Sequence, residues 1–194
     1  MTSSWEEMAK DKCIICDGYS MYEDIFTQDL NRQACNDCFE EHNLTNQPLY
    51  IFDLDGTIAL NKHREHLIQG DHKNWEAFFE ACDMDDPNHP VINTLKSLKN
   101  SGADIWIWSG RSDAVREKTL EWLHKHDLVK HVSRIRMRED GDHTPDEELK
   151  LGWLNDLSQS DEHRLVAVFD DRDKVVAMWR SQGIACFQVA YGSF

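Results

Sequence analysis

Leu49-Tyr50-Ile51-Phe52-Asp53-Leu54-Asp55-Gly56-Thr57 is an apolar run that stops abruptly in two carboxylates, a glycine and a hydroxyl. A strand buried on both faces reads as a continuous apolar stretch, so residues 49–53 are expected to form a central strand that leaves the core at Asp53. Ligands of open α/β sheets sit just beyond the carboxyl ends of the strands, which aims Asp53 and Asp55 into a cleft. Gly56 permits a tight exit, and Thr57 offers a hydroxyl and a backbone N–H. Alone, two aspartates and a glycine also suit an ordinary turn. The rest of the chain decides between these readings.

Downstream, short apolar segments at 104–108, 134–137, 165–169 and 185–189 read as further strands. Between them lie helical stripes: Ile92, Leu95 and Leu98; Val115, Thr119, Trp122 and Leu123; Leu149, Trp153 and Leu157; Val175, Val176 and Trp179. This alternation implies parallel βαβ units, and right-handed crossovers stack them into an α/β three-layer sandwich. Residues 61–90 break the alternation with a charged, histidine-rich insertion carrying one short helix at 74–82. The spacing of His63, His66, His72 and His89 matches no compact metal site, so they read as solvated surface, while Cys82 and Cys186 read as core.

Upstream, Cys13-x-x-Cys16 and Cys35-x-x-Cys38 are separated by eighteen residues. Two such knuckles complete a closed four-thiolate site, so residues 1–46 are expected to form a structural zinc module, joined by a linker to a domain over 47–194. Residues 1–48 hold ten acidic side chains against Lys10, Lys12 and Arg32. A nucleic-acid finger should be basic, which ranks this module as a structural cap or protein-docking element first. The formal charge of -15 over 194 residues likewise argues against a broad electrostatic grip on a phosphate backbone. No apolar stretch is long enough to span a membrane and no signal peptide is legible, so a cytoplasmic protein is expected. Nothing in the sequence fixes its oligomeric state.

Cleavage of a phosphate ester by an aspartate needs a nucleophilic carboxylate, a metal to offset charge, an acid for the leaving oxygen, and cations around the phosphoryl group. Ser109 and Gly110, in Trp108-Ser109-Gly110-Arg111, place a hydroxyl and turn N–H groups at the end of a predicted strand. Lys150 lies one helical turn after Asp146, an expected orienting partner, although alone such a pair reads as a surface ion pair. In Phe169-Asp170-Asp171-Arg172 two adjacent carboxylates at a strand end suit a hard, hydrated cation, magnesium best, although an Asp pair can also cap a helix.

These four motifs, in this order, resemble those of the haloacid-dehalogenase-like (HAD) phosphohydrolases, with Asp53-x-Asp55-Gly56-Thr57 as the first. The resemblance implies that Asp53 is the nucleophile and forms an aspartyl-phosphate, and that Asp55 protonates the leaving group and later activates water. An acid at Asp55 would need a raised pKa. It further implies that Ser109 binds a phosphoryl oxygen, that Lys150 neutralises nucleophile and phosphate, and that Asp53, Asp170 and the Asp55 carbonyl ligate magnesium, with Asp171 direct or through water. The insertion at about 61–90 falls where that superfamily carries a cap, and one this short leaves the cleft open.

More narrowly, residues 50–194 are similar to the 3′-phosphatase domain of bacteriophage polynucleotide kinase/phosphatases, most specifically in the closing stretch from Phe169-Asp170-Asp171-Arg172 to Phe194. Arg64, Arg111 and Arg138 fall at or near arginines of that family, implying substrate-binding roles beside Thr57 and Gly110. No G-x-x-x-x-G-K-[ST] phosphate loop is present, so no kinase half is expected. The expected function is a magnesium-dependent phosphatase removing 3′-phosphates from polynucleotide ends or nucleotides, in a host cytoplasm if the chain is viral. The competing readings are a 5′-nucleotidase acting on free mononucleotides, and an adaptor that docks through its zinc module while the HAD domain serves as a scaffold.

Overall fold

The computed structural model describes residues 47–70 and 72–192. Cys13, Cys16, Cys35 and Cys38, and the zinc module expected of them, lie outside the described residues. The chain divides between Gln47 and Pro48, and the described strands and helices all belong to the second unit.

β1 (Leu49–Phe52) is the middle strand of a five-stranded sheet. β4 (Asp104–Ser112) and β5 (Arg134–Arg138) lie to one side, β6 (Leu165–Arg172) and β7 (Cys186–Gly192) to the other. The order is β5-β4-β1-β6-β7, and every neighbouring pair is parallel. Parallel strands need crossovers, and the crossovers cover both faces. Because successive side chains point to opposite faces, Phe52, Ile105 and Ile107 enter one core and Leu49, Ile51, Trp106 and Trp108 the other. α2 (His89–Asn100) covers the first with Val91, Ile92 and Leu95, and α3 (Arg116–Lys125) joins it with Trp122 and Leu123. α4 (Asp146–Asn155) and α6 (Asp173–Ser181) cover the second with Leu149, Trp153, Val175, Val176 and Trp179. A short α5 (Gln159–Arg164) leads into β6. The fold is the expected α/β three-layer sandwich.

The strand ends differ from expectation in a way that matters. β4 continues past Trp108, with its pairing to β5 irregular between Ser109 and Ser112 and resumed at Ser112–Arg138. β6 runs past Phe169, irregular between Asp170 and Arg172. The motif residues therefore sit on bulged strand ends rather than in free turns, and a bulge re-aims a side chain without releasing its backbone.

The insertion contains a 3-10 turn (Glu65–Ile68), α1 (Trp75–Glu80) and a second 3-10 turn (Cys82–Met84). The Asn74 side chain accepts the Ala77 N–H at 3.0 Å and caps α1. β2 (Ala59–Leu60) and β3 (Asp86–Pro87) pair antiparallel and close the base of the insertion. His63, His66, His72 and His89 are exposed, and Cys82 and Cys186 are buried. Among the described residues, no helix is long and apolar enough to cross a membrane.

Trp179 is wholly buried, and its indole N–H meets no acceptor among the described residues. Trp179→Ala is expected to lower the unfolding free energy by about 3–5 kcal/mol through the cavity it leaves. Trp179→Phe should cost well under half of that, since removing an unpaired buried donor offsets about 1–3 kcal/mol of the lost packing. Urea unfolding of both variants checks the ranking.

Candidate active site

The Asp53 N–H donates to the Phe169 carbonyl at 2.8 Å, carrying the β1–β6 ladder one residue beyond the strand. The chain then turns tightly, with the Ile58 and Ala59 N–H groups both on the Leu54 carbonyl. Gly56 has φ +82°, and a Cβ there would lie 2.2 Å from Asp171 Oδ2, so only glycine allows this approach. The Thr57 hydroxyl, buried, donates to Asp171 Oδ1 at 3.4 Å.

α4 brings in Lys150. Leu149 and Trp153 fix the helix against the sheet, and Lys150, 1% exposed, donates from Nζ to Asp53 Oδ1 at 2.5 Å and to Asp170 Oδ2 at 2.8 Å. Burial opposes the charge of this ammonium, but Asp170 and Asp53 outweigh it and hold its pKa above the usual lysine range. Oxygens of Asp53, Asp170 and Asp171 lie within 4.8 Å of one another, all buried. Burial, and then Asp170, push the Asp171 carboxyl up to about 7. Asp53 is also raised, by burial together with Asp170 and Asp171 against the pull of Lys150. Three carboxylates against one ammonium leave an excess of negative charge on hard oxygen donors, and a divalent cation fits that set.

Asp55 faces the other way. Both Arg64 Nη2 and Arg111 Nη2 donate to Oδ1, and Arg111 Nε donates to Oδ2 at 3.2 Å. Burial alone would raise the Asp55 pKa, yet Arg111 and Arg64 overcome it and hold it at about 2. That is opposite to the raised value expected of an acid, because nothing along the chain signals that two guanidiniums converge on one carboxylate.

Behind them sits a residue that sequence reasoning missed. Asp85 accepts from Arg64 Nε at 2.7 Å, Arg64 Nη2 at 2.6 Å and Arg111 Nη2 at 3.0 Å. Its backbone carbonyl takes the Trp122 indole N–H at 2.8 Å, and His63 Nε2 is 2.9 Å from Oδ1. Arg64 is wholly buried, with Nη1 donating to the Phe78 carbonyl at 3.0 Å and the guanidinium 4.1 Å from the Phe78 ring centre. Arg64 thus supports Asp55 from below, while Arg111 lines the cleft and donates from Nη1 to Thr119 at 3.1 Å. Ser109, fully buried, accepts the Arg111 N–H at 3.2 Å.

Asp146, expected beside Lys150, instead accepts from Arg138 Nη2 and Arg172 Nη1. Lys150 is held by Asp53 and Asp170. Arg138 also donates to the Gly110 carbonyl at 2.8 Å and the Thr144 carbonyl at 2.6 Å, tying the end of β5 to the loop after it. Gly110 lines the cleft, and a Cβ on it would meet Asp146 Oδ1 at 2.6 Å. Arg172 also lines the cleft, and its place beside Asp170-Asp171 was the legible clue to it. Asp85 had none: its neighbour Asp86 is exposed, and the local sequence does not say which carboxylate turns inward.

The cleft has a volume of about 680 Å³. Asp53, Asp55 and Arg111 line it together with Trp75, Phe78 and Phe79 of α1 and the loop at 139–145.

Residues 47–194 match the family described as the polynucleotide kinase PNKP phosphatase domain (HAD_PNKP). Over 131 residues the chain is 33% identical to a protein of Autographa californica nuclear polyhedrosis virus described as a bifunctional polynucleotide kinase/RNA ligase, covering 67% of this chain and 17% of that protein. A chain in the structure of the Pnkp1/Rnl/Hen1 RNA repair complex is similar with a TM-score of 0.64 at 33% identity, over 76% of this chain and 44% of the other. A phosphatase from Clostridium difficile shares the fold, with a TM-score of 0.54 at 17% identity over 77% of this chain and 88% of its own. The chain therefore spans 17% of the viral relative and 44% of the matched chain of the repair complex, less than half of each.

Removing Asp85 leaves two buried guanidiniums sharing the single carboxylate of Asp55. Asp85→Ala is expected to lower the unfolding free energy by about 3–5 kcal/mol, whereas His63→Ala, acting on the same carboxylate from the solvent side, should cost under about 1 kcal/mol. Chemical denaturation of the two variants measures both.

Proposed function

Given that residues 47–194 belong to the polynucleotide kinase PNKP phosphatase domain family of HAD-type phosphatases, we propose that this chain is a magnesium-dependent phosphomonoester hydrolase removing phosphates, 3′-phosphates foremost, from polynucleotide ends or nucleotides. The observation that carries this reading is Asp53 in the cleft, paired with Lys150 and flanked by Asp170 and Asp171. Asp53, Asp170 and the Asp55 carbonyl would hold magnesium, with Asp171 direct or through water. The ion would supply positive charge that keeps Asp53 ionised and offsets charge on the phosphoryl oxygens.

An Asp53 carboxylate oxygen attacks phosphorus, the bond from phosphorus to the leaving oxygen breaks, and that oxygen takes the Asp55 proton. Asp55 then accepts a proton from water, whose oxygen attacks the aspartyl-phosphate and releases inorganic phosphate and free Asp53. Lys150 balances the nucleophile throughout, and Arg111 meets the phosphoryl oxygens. In the free site Arg111 and Arg64 hold Asp55 ionised, so it takes up its proton only once its pKa is raised. A phosphoryl group hydrogen-bonded to Arg111 competes with Asp55 for the guanidinium, so substrate binding itself raises Asp55 toward the range an acid requires. From the cysteine spacing alone we further propose that Cys13, Cys16, Cys35 and Cys38 bind a structural zinc ion and that residues 1–46 serve as a cap or partner-docking element.

Phosphate release from a panel of 3′- and 5′-phosphorylated nucleotides and oligonucleotides tests the reaction. Turnover should need magnesium, favour 3′-phosphates, and fall by at least about a thousandfold in Asp53→Asn, which removes the covalent route. Higher specificity constants on 5′-mononucleotides would overturn the substrate assignment, and an inert protein would overturn the phosphatase reading.

The ion site also implies a pH effect. The Asp171 pKa of about 7 exceeds the unfolded value of about 3.9, so between these pH values the folded state holds a proton that the unfolded state has lost. Stability without a divalent cation should fall as pH rises from about 4 to about 7. Magnesium should raise Tm more at pH 8 than at pH 5, because its ligands must be deprotonated. An equal rise at both pH values in a thermal melt would count against these ligands.

A further inference from the structure

Trp75, Phe78 and Phe79 occupy positions i, i+3 and i+4 of α1 and so share one helix face. That face borders the same cleft as Asp53 and Arg111. Phe78 is buried, and its ring packs edge-on to Trp75, with centroids 5.7 Å apart and an interplanar angle of 83°. The Arg64 guanidinium, held by Asp85 and Asp55, lies over the same ring. Trp75 is 43% exposed, and its ring lies 5.9 Å from that of Phe79 at an interplanar angle of 30°. The arginine network that holds Asp55 therefore also anchors an aromatic wall. Glu139, Asp140 and Asp142 of the loop after β5 line the same cleft, as do Glu76 and Glu80 of α1. Carboxylates there repel a trailing phosphate backbone but not a neutral base.

We propose that Trp75 and Phe79 form a stacking platform for the nucleobase of the single terminal nucleotide whose phosphate reaches Asp53. This rests on the phosphatase reading and sharpens it: the site recognises one nucleotide by its phosphate and its π face, and makes no run of backbone contacts. Stacking on an aromatic side chain tolerates every base, so the preference is for a nucleotide end of any sequence.

The test uses the full chain. Specificity constants for a 3′-phosphorylated nucleotide and for glycerol phosphate, which has no base, are compared in the unsubstituted protein, Trp75→Ala and Trp75→Phe. The preference for the nucleotide should fall about 5- to 150-fold in Trp75→Ala, the span of alanine substitutions at base-stacking aromatics. Trp75→Phe, which keeps a π face, should restore most of it. In a second arm, 3′-phosphorylated mono-, tri- and decanucleotides are titrated into Asp53→Asn by calorimetry at 50 and 200 mM salt. Affinity should be nearly independent of length and fall only about threefold across that range, as for one neutralised phosphate; a strand gripped through six phosphates would lose several hundredfold. An unchanged preference in Trp75→Ala, or affinity that climbs with length and collapses with salt, overturns the platform. If the unsubstituted chain turns over no phosphomonoester, the phosphatase reading fails separately. The platform is then decided by whether adding Trp75→Ala to Asp53→Asn weakens nucleotide binding.

Discussion

Charge buried at the carboxyl edge of the sheet has to be paired, and most of the site results from how this is done. Asp85 sits at the centre of one network, taking Arg64 and Arg111 on one carboxylate and fixing both against Asp55. An unpaired guanidinium here would lack both water and a counter-ion, a cost of several kcal/mol. The insertion that supplies Arg64 and Asp85 is consequently locked to the strand ends that supply Asp55 and Arg111. A short, mostly polar excursion becomes an integral wall of the site.

The site divides into two electrostatic halves. Asp55, Asp85, Arg64 and Arg111 form a balanced set, and Asp55 is kept ionised there. Asp53, Asp170 and Asp171 share Lys150, and burial, together with their mutual repulsion, raises Asp53 and Asp171. Neighbouring aspartates on one loop thus acquire opposite proton affinities, Asp55 low and Asp53 high, the reverse of what an acid at Asp55 and an ionised Asp53 need. The glycine between the halves matters for geometry: at Gly56 any side chain would strike Asp171.

The bulged ends of β4 and β6 connect this chemistry to the fold. Ladder pairing continues beyond the motif residues, at Ser112–Arg138 and Arg172–Gly192. The functional side chains are therefore carried by backbone that remains hydrogen-bonded on both sides of them. Asp146, clamped by Arg138 and Arg172 and pressed against Gly110, adds a cross-brace between strand ends, helix α4 and the loop after β5.

The sequence by itself determined the sheet, its helical faces and the motif carboxylates. An apolar run ending at Asp53 and the stripes through Ile92–Leu95, Trp122–Leu123, Leu149–Trp153 and Val175–Trp179 are periodic signals, and periodicity reflects burial directly. Lys150 and Asp170-Asp171 are expected at the site only through the order of the four motifs, since taken alone an Asp–Lys pair suits a surface ion pair and an Asp pair a helix cap. Only the tertiary structure decided which partners those charges chose. It sent Asp146 to Arg138 and Arg172 rather than to Lys150, turned Asp85 inward while Asp86 stayed in solvent, and set the Asp55 pKa low rather than high. The physical reason is range: hydrophobic patterning is written along the chain at intervals of two to four residues, whereas ion pairing joins residues such as Asp55 and Arg111 or Asp53 and Lys150 that meet only after the strands and helices have packed.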